Sequence, residues 1–144
     1  MRIARIQTNG QTRHAIVEDN AYRLIEGDLL DSWKPGGETV PLAEARLLAP
    51  VEPRQIVAIG LNYRKHAAES RMAVPDAPVI FFKGCNALVG PGQPILLPRI
   101  APAEVDYEAE LVIVISRLAK HVSVEDAPAH ILGYTCGNDV SARD

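Results

Sequence analysis

The amino-acid sequence predicts a mostly β protein with short helices, an α+β fold, and three observations carry that expectation. Short runs rich in β-branched and aromatic residues, divided by turn pairs, fill the first fifty residues. From Gln55 onward, further short apolar runs are separated by prolines, glycines and brief helix-forming stretches, without the regular strand–helix alternation of a doubly wound sheet. Finally, Asp106-Tyr107-Glu108-Ala109-Glu110 opens directly into the apolar run Leu111-Val112-Ile113-Val114-Ile115, a pattern that reads as one strand.

In chain order, Ile3 to Gln7, His14 to Glu18 and Tyr22 to Ile25 read as strands of a meander, with turn pairs at Asn9-Gly10 and Asp19-Asn20. Trp33 to Gly37 reads as a breaker-rich loop, and Leu42 to Leu48 as a return to the core. Pro50-Val51-Glu52-Pro53 marks a boundary, so residues 1–50 are expected to form a small β-rich N-terminal domain and residues 54–144 a second unit. Ile56 to Ile59 is expected as a short buried strand ending at Gly60. Asn62 then caps a helix over Tyr63 to Ser70. Val79 to Phe82 reads as another buried strand, Gly90-Pro91-Gly92-Gln93-Pro94 as a sharp turn, and Ile95 to Leu97 as a short strand. Ser123-Val124-Glu125-Asp126 resembles a capping box for a helix over Val124 to His130, and Ile131 to Thr135 is a last strand feeding Gly137-Asn138-Asp139.

Composition narrows the function classes. The chain has 144 residues, 47% hydrophobic and 23% charged, with a net charge of -3. That length supports an ordinary domain with a real core. No basic block interleaved with aromatics exists, which argues against nucleic acid as a partner. The apolar runs fall well short of the roughly 20 residues of a membrane helix, so no membrane partner is expected. Cys85 and Cys136 have no metal-type spacing and read as small buried hydrophobes, in keeping with a reducing cytoplasmic location.

The acidic stretch carries the chemistry. On a strand, Glu104, Asp106, Glu108 and Glu110 project from one face and are followed there by Val112 and Val114. Two carboxylates about 5 Å apart repel by about 3 kcal/mol at an effective dielectric near 20. Such a cluster is relieved by protonation or by a cation. Glu108 and Glu110, with Asp139 just beyond a later strand, supply hard oxygen donors suited to Mg²⁺ or Mn²⁺. A solvated acidic face has the same spacing, and the apolar continuation of that face favours burial and hence the cation. Periodicity does not choose among the acids. His66 and Glu69, three apart on the expected helix, share a face and could form a base with its supporting carboxylate, or simply a surface pair. Lys83, at a strand end, could hold a substrate carboxylate or merely extend its stem along the sheet. His14, His121 and His130 lack a carboxylate at useful spacing and read as surface or core residues.

These residues also carry a resemblance. Gly60-Leu61-Asn62-Tyr63 with His66 and Glu69, Phe82-Lys83, Gly90-Pro91-Gly92, Asp106 to Leu111, and Gly133 to Asp144 resemble the fumarylacetoacetate hydrolase family in order and spacing, from about Arg54 onward. The resemblance implies an incomplete mixed β-roll or barrel preceded by the small N-terminal domain that many bacterial members carry. It implies Mg²⁺ or Mn²⁺ held by Glu108, Glu110 and Asp139, a catalytic dyad of His66 and Glu69, and Lys83 near the substrate. It further implies a homodimer acting on a 2-oxo or 1,3-dioxo acid. Acylpyruvate hydrolysis is the first expectation; isomerisation or decarboxylation of 2-oxo dioates, or oxaloacetate decarboxylation, is the alternative. Family catalytic domains continue past the segment ending at Asp144, so the chain is expected to be part of a longer enzyme or, as the rival, an inert metal-binding fragment. Ser116-Arg117, where the family often has a glycine turn, is a local departure.

Overall fold

The computed structural model describes residues 1–69 and 71–144. Among the described residues, eleven strands and one short α-helix make the fold mostly β, as the sequence predicts. The chain groups into two compact units, one formed by Met1–Pro50 with Gly90–Asp144 and the other by Val51–Val89. Among the described residues no helix is long and apolar enough to cross a membrane.

The first unit opens with β1 (Ile3–Thr8), β2 (Gln11–Val17), β3 (Ala21–Gly27), β4 (Trp33–Pro41) and the short β5 (Arg46–Leu47). They form one sheet in the order β4-β3-β2-β1-β5, antiparallel at every pairing. The β1–β2 hairpin closes through Asn9 and Gly10 alone, both at positive φ (48° and 73°), which matches the twist of the flanking strands. Alternation along β1 buries Ala4, Ile6 and Thr8. Ala4 and Ile6 join Ala15, Leu24 and Val40 in the hydrophobic cluster, with Val17, Tyr22 and Ala45 packed against it.

Several expectations about this unit are corrected. Trp33 to Gly37 is no loop but the first half of β4. The glycines that signal a breaker instead form a bulge: Pro35 faces Ile25 and Thr39 faces Arg23, so Gly36, Gly37 and Glu38 all stand opposite Leu24. A side chain at Gly36 would come within 2.8 Å of the Leu24 carbonyl oxygen. Pro35 is tolerated because β4 is an edge strand. Residues 42–48 contribute Ala45 to the core while Leu42 and Leu47, each 39% exposed, point outward. Leu42–Glu44 is a single 3₁₀ turn, and β5 adds a two-residue edge strand beside β1.

The second unit holds a two-stranded antiparallel ribbon, β6 (Ile56–Gly60) with β7 (Val79–Lys83), and helix α1 (Arg64–Glu69) between them. The helix starts one residue later than expected, and Ser70, the last residue of the expected helix, lies outside the described residues. Both strands occur where the sequence places them, but neither is buried: Val57, Ile80 and Phe82 are 52%, 61% and 63% exposed. A two-stranded ribbon covers neither of its own faces, so apolar composition alone does not bury it.

The remaining strands return to the first unit. The 90–94 segment turns sharply as expected, with the Gln93 N–H donating to the Gly90 carbonyl (3.2 Å) and Gly92 at φ 72°. Ile95 to Leu97 is not a strand; Leu96 is 85% exposed. The acidic stretch is not one strand but two, β8 (Val105–Asp106) and β9 (Ala109–Ile115), because each takes a different partner. β9 pairs with β10 (Ile131–Asn138), which runs three residues beyond its expected end, and β8 pairs with β11 (Ser141–Ala142). Before β10 the expected helix over Val124 to His130 shrinks to a turn and a 3₁₀ segment, Ala127–His130. The Ser123 hydroxyl accepts from the Asp126 N–H (3.1 Å) and donates to the Asp126 carboxylate (2.9 Å), so that carboxylate is not free to close a reciprocal cap. Cys85 and Cys136 are free thiols, and both are exposed, against the expectation of burial.

The setting of His14 bears on stability. Its Nε2 is buried without a hydrogen-bond partner, and it faces Arg5 across the β1–β2 pair. Burial, reinforced by Arg5 and partly offset by Asp28, lowers its pKa below the ordinary value near 6.5. The unfolded chain therefore binds the His14 proton more readily than the folded one. Stability is full above pH 6.5 and falls as pH drops through 6.5 toward the lowered folded value. Thermal melts across pH 5 to 8 should show this loss in the wild type and a flatter profile in His14→Gln; identical profiles would remove His14 as its source.

Candidate metal centre

The site is assembled where β8 gives way to β9. As the chain leaves β8, Tyr107 and Glu108 lie outside regular structure, and the incoming Asn138-Asp139 segment bonds Glu108 directly. The Asp139 N–H donates to the Glu108 carbonyl (2.9 Å), while the Glu108 N–H donates to Asn138 Oδ1 (3.0 Å). Two reciprocal bonds thus fix Glu108 beside Asp139, although thirty-one positions of sequence separate them. Glu110 stands on β9 opposite Gly137 of β10. A Cβ at Gly137 would lie 2.8 Å from Val112 Cγ2, so glycine lets β10 run close to the face that carries Glu110 and Val112.

The outcome is that Glu108, Glu110 and Asp139, all half-buried, each bring a carboxylate oxygen to within 4.8 Å of the other two. Asp139 Oδ1 is fully buried. Two oxygens on one octahedral cation of Mg²⁺ size stand about 3 Å apart when adjacent and about 4 Å apart when opposite. The donor set is all hard oxygen, and the three oxygens lie close enough together to share one small cation. The residues present fit Mg²⁺ or Mn²⁺.

Arg143, one residue of the C-terminal motif, is left without a role by sequence reasoning. Its Nε donates to Asp106 Oδ2 (3.0 Å) and its Nη2 donates to Glu108 Oε1. The hydrogen bond donated to Asp106 first, and that donated to Glu108 after it, raise the guanidinium pKa above its ordinary value. Asp106 is thereby committed to an ion pair, which separates it from the triad. The available signal was the charge balance: an acid run this dense calls for a cation near Asp139, and Arg143 is the only basic residue between Ile131 and Asp144.

The remaining candidates lie in the second unit. His66 and Glu69 are both on α1, with His66 half-buried and Glu69 exposed. Lys83 ends β7, its ammonium 5.9 Å from the Phe81 ring centroid.

A mostly β chain with a carboxylate triad at a strand break defines a class, and comparison with known proteins supplies the family. Residues 55–144 match the Fumarylacetoacetate (FAA) hydrolase C-terminal family, and residues 1–50 match the Rv2993c-like, N-terminal family. The chain belongs to the fumarylacetoacetate hydrolase family. It is 48% identical over 99 residues, 68% of this chain and 31% of the relative, to the oxaloacetate tautomerase fahd2, mitochondrial, of Xenopus laevis. The crystal structure of 5-carboxymethyl-2-hydroxymuconate delta-isomerase from Mycobacterium smegmatis superposes with a TM-score of 0.88 at 39% identity, covering 100% of this chain and 56% of that one. Maleylpyruvate hydrolase from Sphingobium sp. SYK-6, solved with manganese(II) and pyruvate, matches with a TM-score of 0.74 at 25% identity, covering 99% and 60% respectively. The chain spans a little over half the length of these solved structures and about a third of the curated relative.

Carboxylate repulsion predicts a metal dependence of stability. Mn²⁺ at 100 times its dissociation constant should raise unfolding free energy by about 2.7 kcal/mol, read as a higher melting temperature. Asp139→Ala should abolish that response; a wild-type melting temperature indifferent to millimolar Mn²⁺ and Mg²⁺ would contradict the site.

Proposed function

We propose that the protein is a divalent-metal-dependent enzyme, using Mg²⁺ or Mn²⁺, that moves a proton at the enolisable carbon of a 2-oxo dioate. The observation that carries the reading is the convergence of the Glu108, Glu110 and Asp139 oxygens within 4.8 Å. A divalent cation held there would supply positive charge against the enolate oxygen that develops during reaction. His66 is proposed as the base, oriented by Glu69 three residues along the same helical face. It takes the proton from C3; the C–H electron pair enters the C2–C3 bond, and the carbonyl pair moves to the C2 oxygen. Return of the proton to that oxygen gives the enol, and return to a distal carbon of a conjugated chain gives the isomer. No oxidant or reductant is consumed. Lys83 would hold a substrate carboxylate.

Two comparisons support proton transfer ahead of hydrolysis, although acylpyruvate hydrolysis is the first expectation from sequence. The 48% relative is named a tautomerase and the 39% structural match an isomerase, each at higher identity than the 25% hydrolase. Hydrolysis of an acylpyruvate is the second reading, favoured by that hydrolase's complex with manganese and pyruvate. There the same base would deprotonate water, which adds to the acyl carbonyl before the C–C bond breaks to leave the pyruvate enolate.

A substrate panel decides between them. Oxaloacetate and hydroxymuconate-type dioates should show Mn²⁺-dependent proton shifts faster than any release of pyruvate from an acylpyruvate; the opposite order selects hydrolysis. His66→Ala should lower kcat by roughly 10²–10⁴-fold while leaving Mn²⁺ affinity unchanged. An undiminished rate would remove His66 from the mechanism.

A further inference from the structure

We propose that Arg143 sets the cation selectivity of the carboxylate triad, as a positioning residue that occupies one oxygen of Glu108 and withholds Asp106. The proposal rests on the reading of Glu108, Glu110 and Asp139 as cation ligands.

The arginine is held at both ends. Its backbone N–H donates to the Glu104 carbonyl (2.7 Å), next to the β8–β11 pairing of Ser141 with Asp106 and Ala142 with Val105. Its planar fork spans two carboxylates, Nε on Asp106 Oδ2 at 3.0 Å and Nη2 on Glu108 Oε1. Glu108 is independently fixed through its backbone by Asn138 and Asp139. With Oε1 hydrogen-bonded to the guanidinium, Glu108 is biased toward offering a cation its other oxygen, and Asp106 is turned to the guanidinium.

This arrangement discriminates by coordination demand. Ca²⁺ gathers six to eight oxygens and takes carboxylates in bidentate fashion, whereas Mg²⁺ accepts few carboxylates in a strict octahedron and keeps waters. A site in which Glu108 has one oxygen engaged and Asp106 is held away suits the smaller ion. Without the fork, Glu108 can present both oxygens and Asp106 can join, which favours the larger ion. Loss of the arginine charge also strengthens attraction to every divalent cation, but that effect is common to Mg²⁺ and Ca²⁺ and cancels in their ratio. Lysine would keep the charge but not the fork.

The test measures Mg²⁺ and Ca²⁺ affinities by competition against Mn²⁺, followed by electron paramagnetic resonance, in wild type, Arg143→Gln and Arg143→Lys, with circular dichroism to confirm folding. The Ca²⁺/Mg²⁺ affinity ratio should rise at least about tenfold in Arg143→Gln and by a smaller factor in Arg143→Lys. Should Arg143→Gln fail to fold, the lysine variant decides alone. A ratio unchanged in the folded variants, while they still bind Mn²⁺, overturns the proposal and leaves the metal site standing. A wild type that binds no Mn²⁺ overturns the metal site itself, and the selectivity proposal with it.

Discussion

Electrostatic repulsion among carboxylates is the constraint on which this structure turns. Asp106, Glu108, Glu110 and Asp139 are brought together by two strand pairings, β8 with β11 and β9 with β10, that meet at the break between β8 and β9. At the few ångströms involved, each like-charged pair costs kilocalories unless something positive intervenes. The molecule divides the problem. Arg143 neutralises Asp106 and engages Glu108, and three oxygens from Glu108, Glu110 and Asp139 stay pooled at a spacing that a small divalent ion spans. The bond from the Asp139 N–H to the Glu108 carbonyl, and that from the Glu108 N–H to Asn138 Oδ1, hold that geometry against the repulsion, which is why the strand break and the site coincide.

The fold's apolar surface is distributed unevenly. The N-terminal sheet buries Ile6 and Leu24 almost completely, whereas Leu111, Ile113, Ile115 and Tyr134 on β9 and β10 are half-exposed or more. Burial of a side chain of that size is worth about 1.5–3 kcal/mol. Those strands are therefore held by their ladder more than by a core of their own. Gly137 matters for the same reason: with little packing to absorb a shift, a Cβ pressed against Val112 would move the strand that leads to Asp139.

Much of the site was legible because its signals are local. Glu108 and Glu110 fall two apart on a β run, and Asp139 follows an apolar strand; those facts, with the resemblance, point to the acids that converge. His66, Glu69 and Lys83 likewise belong by sequence to a helix and a strand end, where they are found. Local pattern fails where a second strand decides the outcome. Gly36 and Gly37 signal a breaker until β3 supplies a partner against which they bulge. The run from Val105 to Ile115 has the pattern of one strand until β10 and β11 claim different parts of it. The cysteines, and the apolar residues of β6 and β7, read as buried because hydrophobicity states a preference and not a neighbour.

By itself the sequence determined the β-rich class, the hairpin at Asn9-Gly10, the candidate acids and the family, because hydrophobic period, turn chemistry and motif spacing are properties of neighbouring residues. Only the tertiary structure decided which acids share a space and which is taken by Arg143. That choice depends on strand pairings between residues 16 to 37 positions apart, and distance in space between such residues is not encoded in any one stretch of the chain.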